Sequence, residues 1–358
     1  MSDNLQEFSK LYTHRIENFI SGYYKRKAGL NSSGILKKIY FDIEEYCLRP
    51  GKRIRPLLLL AAYAGYSQKQ SENEMNEIIR LSSVLEIMHS FLLIHDDVID
   101  KAVQRRGKES MHVIHNNRYR SITKSNTVGN DIAVITGDMM SFDCIEIIAD
   151  TQIDAELKSD FLKTFSETYI YTTWGQILDI VNSLPIDLKK DSTLPYDISL
   201  YKTTYYTISN PLIMGYILSG GKDETEKESI RDFSLPLGLS FQFRDDLLGV
   251  FGKPDATGKS ASSDIEEGKY TLLIDYALKN LTESERHEFE TVFLKEAKSE
   301  DDICYIREVI EKTGARTSAE KRVMDLSRES LLKLENLNIN DNIKSVLKDV
   351  IKQFSELK

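Results

Sequence analysis

The stretch from Met75 to Ile99 constrains the fold more than any other part of the chain. Read as a helix, its apolar residues cover most of the circumference, the pattern of a helix buried on nearly every side. Ser71-Glu72-Asn73-Glu74 ahead of it has the form of a capping box. The run ends in three acids, Asp96, Asp97 and Asp100, and Arg105-Arg106 follow. Asp96 and Asp100 lie four residues apart, so both carboxylates project from one face. Carboxylates at a helix C-terminus face the negative end of its dipole and repel each other. A local rule broken in this way usually marks a functional site. Hard cations such as Mg²⁺ would offset the cost, because they take carboxylate and phosphate oxygens. The string alone also fits a solvated acidic helix end.

Among 358 residues 41% are hydrophobic, enough for a sizeable core, and seven prolines without regular turn spacing argue against a sandwich or barrel. Net charge is −9, so no nucleic acid partner is expected. The basic residues are locally concentrated, which suits small anionic substrates. Cys47, Cys144 and Cys304 show no metal-type spacing and read as thiols of a reducing compartment. The N-terminus lacks a signal-type apolar segment, and the apolar run Leu57 to Ala64 is too short to span a bilayer. A cytoplasmic protein without integral membrane association is expected.

Residues 1–30 and about 35–47 read as packing helices. Pro50-Gly51 marks a break, and Lys52, Arg53 and Arg55 before Pro56 place three cations at a helix start, a ready anion site or a basic surface turn. His89, two turns before Asp96, has by itself the reading of a hydrogen-bonded core histidine. Gly137-Asp138 is read as opening a helix, and Phe161–Val181 forms another, carrying Gly175-Gln176 and Asp179. Residues 182–197 read as a polar loop. Pro211 should break or kink the helix entered at Tyr201-Lys202-Thr203-Thr204. Phe233–Val250 is a second apolar helix ending in acids, Asp245-Asp246, and suggests a pseudo-symmetric bundle with two acid clusters. A Gly/Ser/Asp-rich loop over 252–270 holds Lys259 and Lys269, and 281–358 is charged and helical in pattern.

Taken together, GKRIRP (51–56), HSFLLIHDDVID (89–100), RRG (105–107), Gly137-Asp138, Gly175-Gln176 with Asp179, Lys202-Thr203 and FQFRDD (241–246) resemble the trans-polyprenyl diphosphate synthases, the farnesyl and geranylgeranyl diphosphate synthase family. The match runs in family order over about 50–270. It implies one all-α domain over 1–358, a homodimer, with two aspartate-rich motifs facing each other across an apolar cavity. It also implies the reaction: an allylic diphosphate ionises, the double bond of isopentenyl diphosphate attacks the carbocation, and proton loss gives a product five carbons longer. The released pyrophosphate can take that proton, so no side-chain base is required. Breaking the carbon–oxygen bond chiefly demands electrostatic stabilisation of the leaving diphosphate.

By the same resemblance, Asp96, Asp100 and Asp245 hold two or three Mg²⁺ ions. Asp97 and Asp246 orient ligands or reach metal through water. Arg105, Lys202, Lys259 and Lys269 grip the allylic diphosphate, with Thr203 and Gln242 near the developing cation. Lys52, Arg55, His89 and Arg106 form the isopentenyl diphosphate pocket. Phe91 falls where archaeal-type geranylgeranyl synthases carry an aromatic stop, with Met88 beneath it, although helical spacing alone does not put Phe91 in the cavity, the alternative being ordinary core. A twenty-carbon product is favoured over fifteen. Two positions depart from the family pattern: Gly249 stands where many members have a third aspartate, with Asp264 available to assist, and Glu109 replaces a common proline. The rival readings are a non-catalytic subunit of a hetero-oligomeric synthase and a class I terpene cyclase, which would need a different second metal motif.

Overall fold

The computed structural model describes residues 3–68, 71–123, 125, 127–184, 193–252 and 262–356. Lys259 lies outside them. The fold is all-α, and among the described residues the only strands are a two-residue pair, β1 (Gln104–Arg105) and β2 (Lys108–Glu109). The chain forms two compact units. One comprises Gln6–Leu162 and Gly215–Gly221, the other Lys163–Met214 and Lys222–Lys358 with Met1–Leu5.

The first unit is built around α4 (Glu72–Ile99), packed by α2 (Gly34–Cys47), α3 (Ile54–Tyr66), α5 (Met111–Tyr119) and α6 (Val128–Asp150). A long helix, α1 (Asp3–Leu30), precedes them. Ser71 caps α4 by accepting the Glu74 N–H at 3.2 Å, and the Glu74 carboxylate accepts the Tyr63 hydroxyl at 2.8 Å. At the other end Lys101 turns left-handed (φ 53°), with Ala102 N–H bonded to the Asp97 carbonyl and Lys101 N–H to that of Val98. This Schellman closure turns the chain back so that the β1–β2 hairpin returns over the aspartates. By length and composition α4 could cross a membrane, but 72% of its most apolar window is buried within the chain, as in a core helix.

Helix α6 starts nine residues before Gly137, which therefore does not open it. A Cβ on Gly137 would come within 2.2 Å of His95 Nε2, so the glycine is where α6 closes on α4. His95 in turn donates to the Val134 carbonyl at 3.1 Å.

In the second unit α7 (Ala155–Asn182, from Lys163 onward) precedes α8 (Leu194–Ile198), which covers part of the expected loop; residues 185–192 lie outside the described set. A π-helical segment, Ser199–Ser209, hands over to α9 (Asn210–Leu218). Pro211, lacking an N–H, sits at this handover, so the expected disturbance takes the form of wide winding upstream rather than a break. Asp223 caps α10 (Glu224–Phe251), accepting the Thr225 N–H at 2.9 Å. α10 packs on the π-helical segment, on α15 (Ala315–Leu334) and on α16 (Asp341–Ser355). Close approach is secured by Gly238, whose Cβ would meet Thr204 Cγ2 at 2.4 Å. Phe243, Leu247 and Val250 join α10 to a core shared with α11 (Ser263–Glu266), α12 (Leu272–Lys279), α13 (Glu283–Phe293) and α14 (Glu300–Lys312).

Candidate active site

The three cations after Pro50-Gly51 part company in the structure. Arg53 adopts φ 49° at the start of α3, and its guanidinium is fully enclosed. It donates to Glu86 at 2.6 Å, to Glu17 at 3.0 and 3.1 Å, and to the Arg49 carbonyl at 2.9 Å. It is a structural ion pair. Its neighbours stay accessible, Lys52 exposed and Arg55 half-buried.

Arg106 and Gly107 both take positive φ, 54° and 75°, the type I′ turn that matches strand twist in a two-residue hairpin loop. The turn sends Arg106 to His89, with Arg106 Nη2 donating to Nε2 at 3.3 Å. A Cβ on Gly51 would stand 3.0 Å from this guanidinium, so the glycine is the floor against which Arg106 lies. Burial, then the charges of Arg55, Arg106, Arg105 and Arg53, hold His89 well below the usual histidine range. Burial likewise depresses Arg106, with Arg53 and Arg55 adding to the effect against the attraction of Glu86. A neutral imidazole set among arginines has the donor chemistry that suits an anion. Lys52, Arg55, His89 and Arg106 all belong to this unit.

At the end of α4 the acids divide. Asp97 is fully buried and accepts from Tyr46 Oη at 2.7 Å and from Arg105 Nε at 2.7 Å, with Arg105 Nη2 on the same oxygen. Arg105 Nη2 also lies 3.5 Å from Asp96. Burial alone would lower the Arg105 pKa, but the charge and hydrogen bonds of Asp97 outweigh it and raise it. Burial and Asp97 together push the Tyr46 phenol up. Asp97 thus fixes the arginine, while Asp96 and Asp100, half-buried and four residues apart, add two hard-oxygen carboxylates at the same helix end. Two carboxylates suit Mg²⁺, which keeps waters and takes substrate phosphate for its remaining positions. Among the described residues no group of three or more His, Cys, Asp or Glu is placed to enclose a metal by itself.

In the second unit Lys202 Nζ donates to Asp179 at 2.5 Å. Gly175 makes the approach possible: its Cβ would stand 2.2 Å from the Lys202 backbone nitrogen. Thr203 Oγ1 donates to Gln242 Oε1 at 2.6 Å, and Gln242 Nε2 donates to Asp246 at 2.7 Å. Asp245 is about half exposed and 3.7 Å from Arg244. Burial, then Asp264, with lesser pushes from Asp245 and Asp179, hold the Asp246 carboxyl well above the usual range against the opposing Gln242 bond. A Cβ on Gly249 would come within 2.2 Å of Asp264 Oδ2. The carboxylate of Asp264 therefore occupies the space left by the absent side chain at 249. Lys269 is paired with Glu267 at 2.5 Å.

Phe91 and Met88 are both buried, Phe91 with its ring 6.3 Å from that of His95. Five residues put Phe91 about 140° around the helix from Asp96, whereas Leu92 and Leu93, on the Asp96 side, are partly exposed. Glu109, the departure after RRG, pairs with Gln104 in the hairpin and accepts from Asn117 at 2.9 Å. No local pattern marks Tyr46 or Arg49, whose contacts reach 50 or more residues along the chain. Spacing alone groups Arg53 with Lys52 and Arg55, whereas the resemblance leaves it out of the pocket, a distinction its backbone conformation explains.

An all-α chain whose two long apolar helices end in aspartates beside fixed lysine and arginine has the features of a diphosphate-handling helical enzyme. Residues 37–310 match the model of the polyprenyl synthetase family, and the chain belongs to that family. It is accordingly an enzyme, a trans-prenyltransferase. It is similar to the geranylfarnesyl diphosphate synthase of Aeropyrum pernix, 31% identical over 76% of this chain and 79% of that one. The geranylgeranyl diphosphate synthase of Saccharolobus solfataricus is 28% identical over 88% and 86%. Among solved structures, the Corynebacterium glutamicum geranylgeranyl pyrophosphate synthase, complexed with isoprenyl diphosphate and magnesium, aligns over 99% of both chains with TM-score 0.88 and 28% identity.

Proposed function

We propose that the chain condenses isopentenyl diphosphate with an allylic diphosphate in an Mg²⁺-dependent reaction, acting as one domain, and that its product is geranylgeranyl diphosphate. The observation that carries this reading is the division of labour among the acids of α4. Asp97 holds Arg105, and Asp96 and Asp100, half-buried and four residues apart, present two further carboxylates as metal ligands. The geranylgeranyl synthases among its relatives support the twenty-carbon product.

Asp96, Asp100 and Asp245 would hold the two or three ions. Mg²⁺, when bound, neutralises charge on the leaving diphosphate. Arg105 supplies a fixed guanidinium to the same group, and Lys202, oriented by Asp179, supplies an ammonium. Lys259 and Lys269 complete the grip. Thr203 and Gln242, hydrogen-bonded to each other, present neutral oxygens to the cationic carbon without trapping it. Lys52, Arg55, His89 and Arg106 receive isopentenyl diphosphate without metal, and its arrival restores basicity to His89. Asp264 beside Gly249 keeps a third carboxylate near Asp245-Asp246. Phe91, over Met88, is assigned as the floor that stops chain growth.

We further assign a homodimer. α6 exposes Ile135, Phe142 and Ile145 on its outer side, with Phe142 75% exposed, an apolar face suited to a second copy. A cytoplasmic location fits three cysteines that are all free.

Incubation of the purified chain with Mg²⁺, isopentenyl diphosphate and dimethylallyl, geranyl or farnesyl diphosphate tests the reading. A twenty-carbon product, abolished by chelator and by Asp96→Asn or Asp245→Asn, is the expected result. A fifteen- or twenty-five-carbon product would overturn the floor assignment alone. No elongation with any primer would sink the reaction and favour a non-catalytic subunit.

A further inference from the structure

We propose that Arg49, a residue outside every motif, positions the Arg105-Arg106 pair and thereby couples the two diphosphate subsites. The proposal rests on the assignment of those subsites given above.

Arg49 lies between the end of α2 and Pro50, only 2% exposed. Its guanidinium is fully engaged. Nε and Nη2 donate to Glu45 Oε2 at 3.0 and 2.8 Å, and Nη1 donates to the backbone carbonyl of Arg105 at 3.1 Å. Its plane lies over the Tyr46 ring at 4.6 Å, the same tyrosine that hydrogen-bonds Asp97. The Arg49 carbonyl accepts from Arg106 Nη1 at 3.3 Å and from Arg53 Nη2 at 2.9 Å. Glu45, which clamps Arg49, also binds Lys108 on β2 at 2.7 Å.

One residue thus holds the hairpin on both sides of its turn. Its side chain fixes the backbone of Arg105, the arginine assigned to the allylic diphosphate. Its backbone fixes the side chain of Arg106, the arginine assigned to isopentenyl diphosphate. The strained left-handed conformation of Arg106 gives the hairpin a reason to need holding. A buried cation beside Arg53, Arg105 and Arg106 is electrostatically adverse, so packing alone would favour an apolar side chain here. Only a guanidinium can pair with a carboxylate along one edge and reach a carbonyl from the remaining nitrogen. A lysine ammonium, a point donor on a flexible stem, cannot span both.

The test compares Arg49→Lys and Arg49→Met with the parent chain. Calorimetry would measure binding of isopentenyl diphosphate alone and of inorganic pyrophosphate with Mg²⁺, with urea unfolding and steady-state kinetics alongside. Arg49→Lys retains the charge and the Glu45 partner. It should weaken both ligands about tenfold, roughly 1.4 kcal/mol each, with KM rising for both substrates and the unfolding midpoint near that of the parent. Combined with Arg106→Gln, it should add little further loss for isopentenyl diphosphate, because its effect passes through Arg106. Unchanged affinities in Arg49→Lys, or additive losses in the double variant, would overturn the positioning role. So would a loss of binding in Arg49→Met that merely tracks a loss of folded protein. If Arg106→Gln alone leaves isopentenyl diphosphate binding intact, the subsite assignment fails first and the proposal falls with it.

Discussion

Replacing Asp97 by asparagine should destabilise the first unit by about 3 kcal/mol, although no ligand touches this residue under the assignments above. The carboxylate is fully buried and accepts three donors, Tyr46 Oη and two nitrogens of Arg105. Asparagine keeps one acceptor oxygen but turns amide hydrogens toward groups that can only donate or prefer to. It also leaves the largely buried guanidinium without its counter-charge. Breaking a buried pair from one side costs about 3–5 kcal/mol, and one surviving hydrogen bond places this case at the lower end. Arg105, still 3.5 Å from Asp96, would then lean on that carboxylate and withdraw it from metal. Urea unfolding and the Mg²⁺ dependence of the rate are the assays, with half-saturating Mg²⁺ expected to rise about tenfold, equivalent to ~1.4 kcal/mol. The double variant Asp97→Asn/Arg105→Gln should recover most of the stability, because no unpaired charge remains, while binding stays lost. A cost below about 1 kcal/mol for Asp97→Asn, or a double variant no more stable than the single, would refute the clamp.

Gly175→Ala should lower kcat more than tenfold, since its Cβ would stand 2.2 Å from the Lys202 backbone nitrogen and displace the π-helical segment. Gly22→Ala, with nothing within 4 Å, is the control and should stabilise α1 by up to about 1 kcal/mol, read from melting curves. His115, buried and pushed down to about 4 chiefly by burial, is more easily protonated in the unfolded chain. Its stabilising contribution is complete above pH 6.5 and declines as pH falls toward 4, by up to about 3 kcal/mol; pH-dependent unfolding would show this, and His115→Gln should flatten that part of the curve. Phe91→Ala should cost about 3–5 kcal/mol of stability and lengthen the product, and an unchanged product distribution by chromatography would remove Phe91 as the floor.

Much of this architecture was legible in the sequence because local signals governed it. Ser71 does cap α4, the apolar circumference does mean burial, and the helix spans follow the periodicity. Failures came where a local signal was silent or ambiguous. Gly137 reads as a helix start because α6 begins without a side-chain cap at Thr127, and a packing glycine looks the same in sequence as a breaking one. Lys52, Arg53 and Arg55 are equivalent as letters, and only the left-handed turn at Arg53 sends its charge inward to Glu86. The distinct place of Asp97 was available from spacing, since it lies about 100° around the helix from Asp96. Its partner Tyr46 was not, because 51 residues separate them.

The packing of Asp264 into the space above Gly249 makes these two positions one unit of variation, although fifteen residues separate them. A larger residue at 249 displaces the carboxylate at 264, and a change at 264 opens a void over the glycine. Counting acids along the helix alone therefore undercounts what is gathered there. Any redesign that writes aspartate at 249 has to rewrite 264 in the same step.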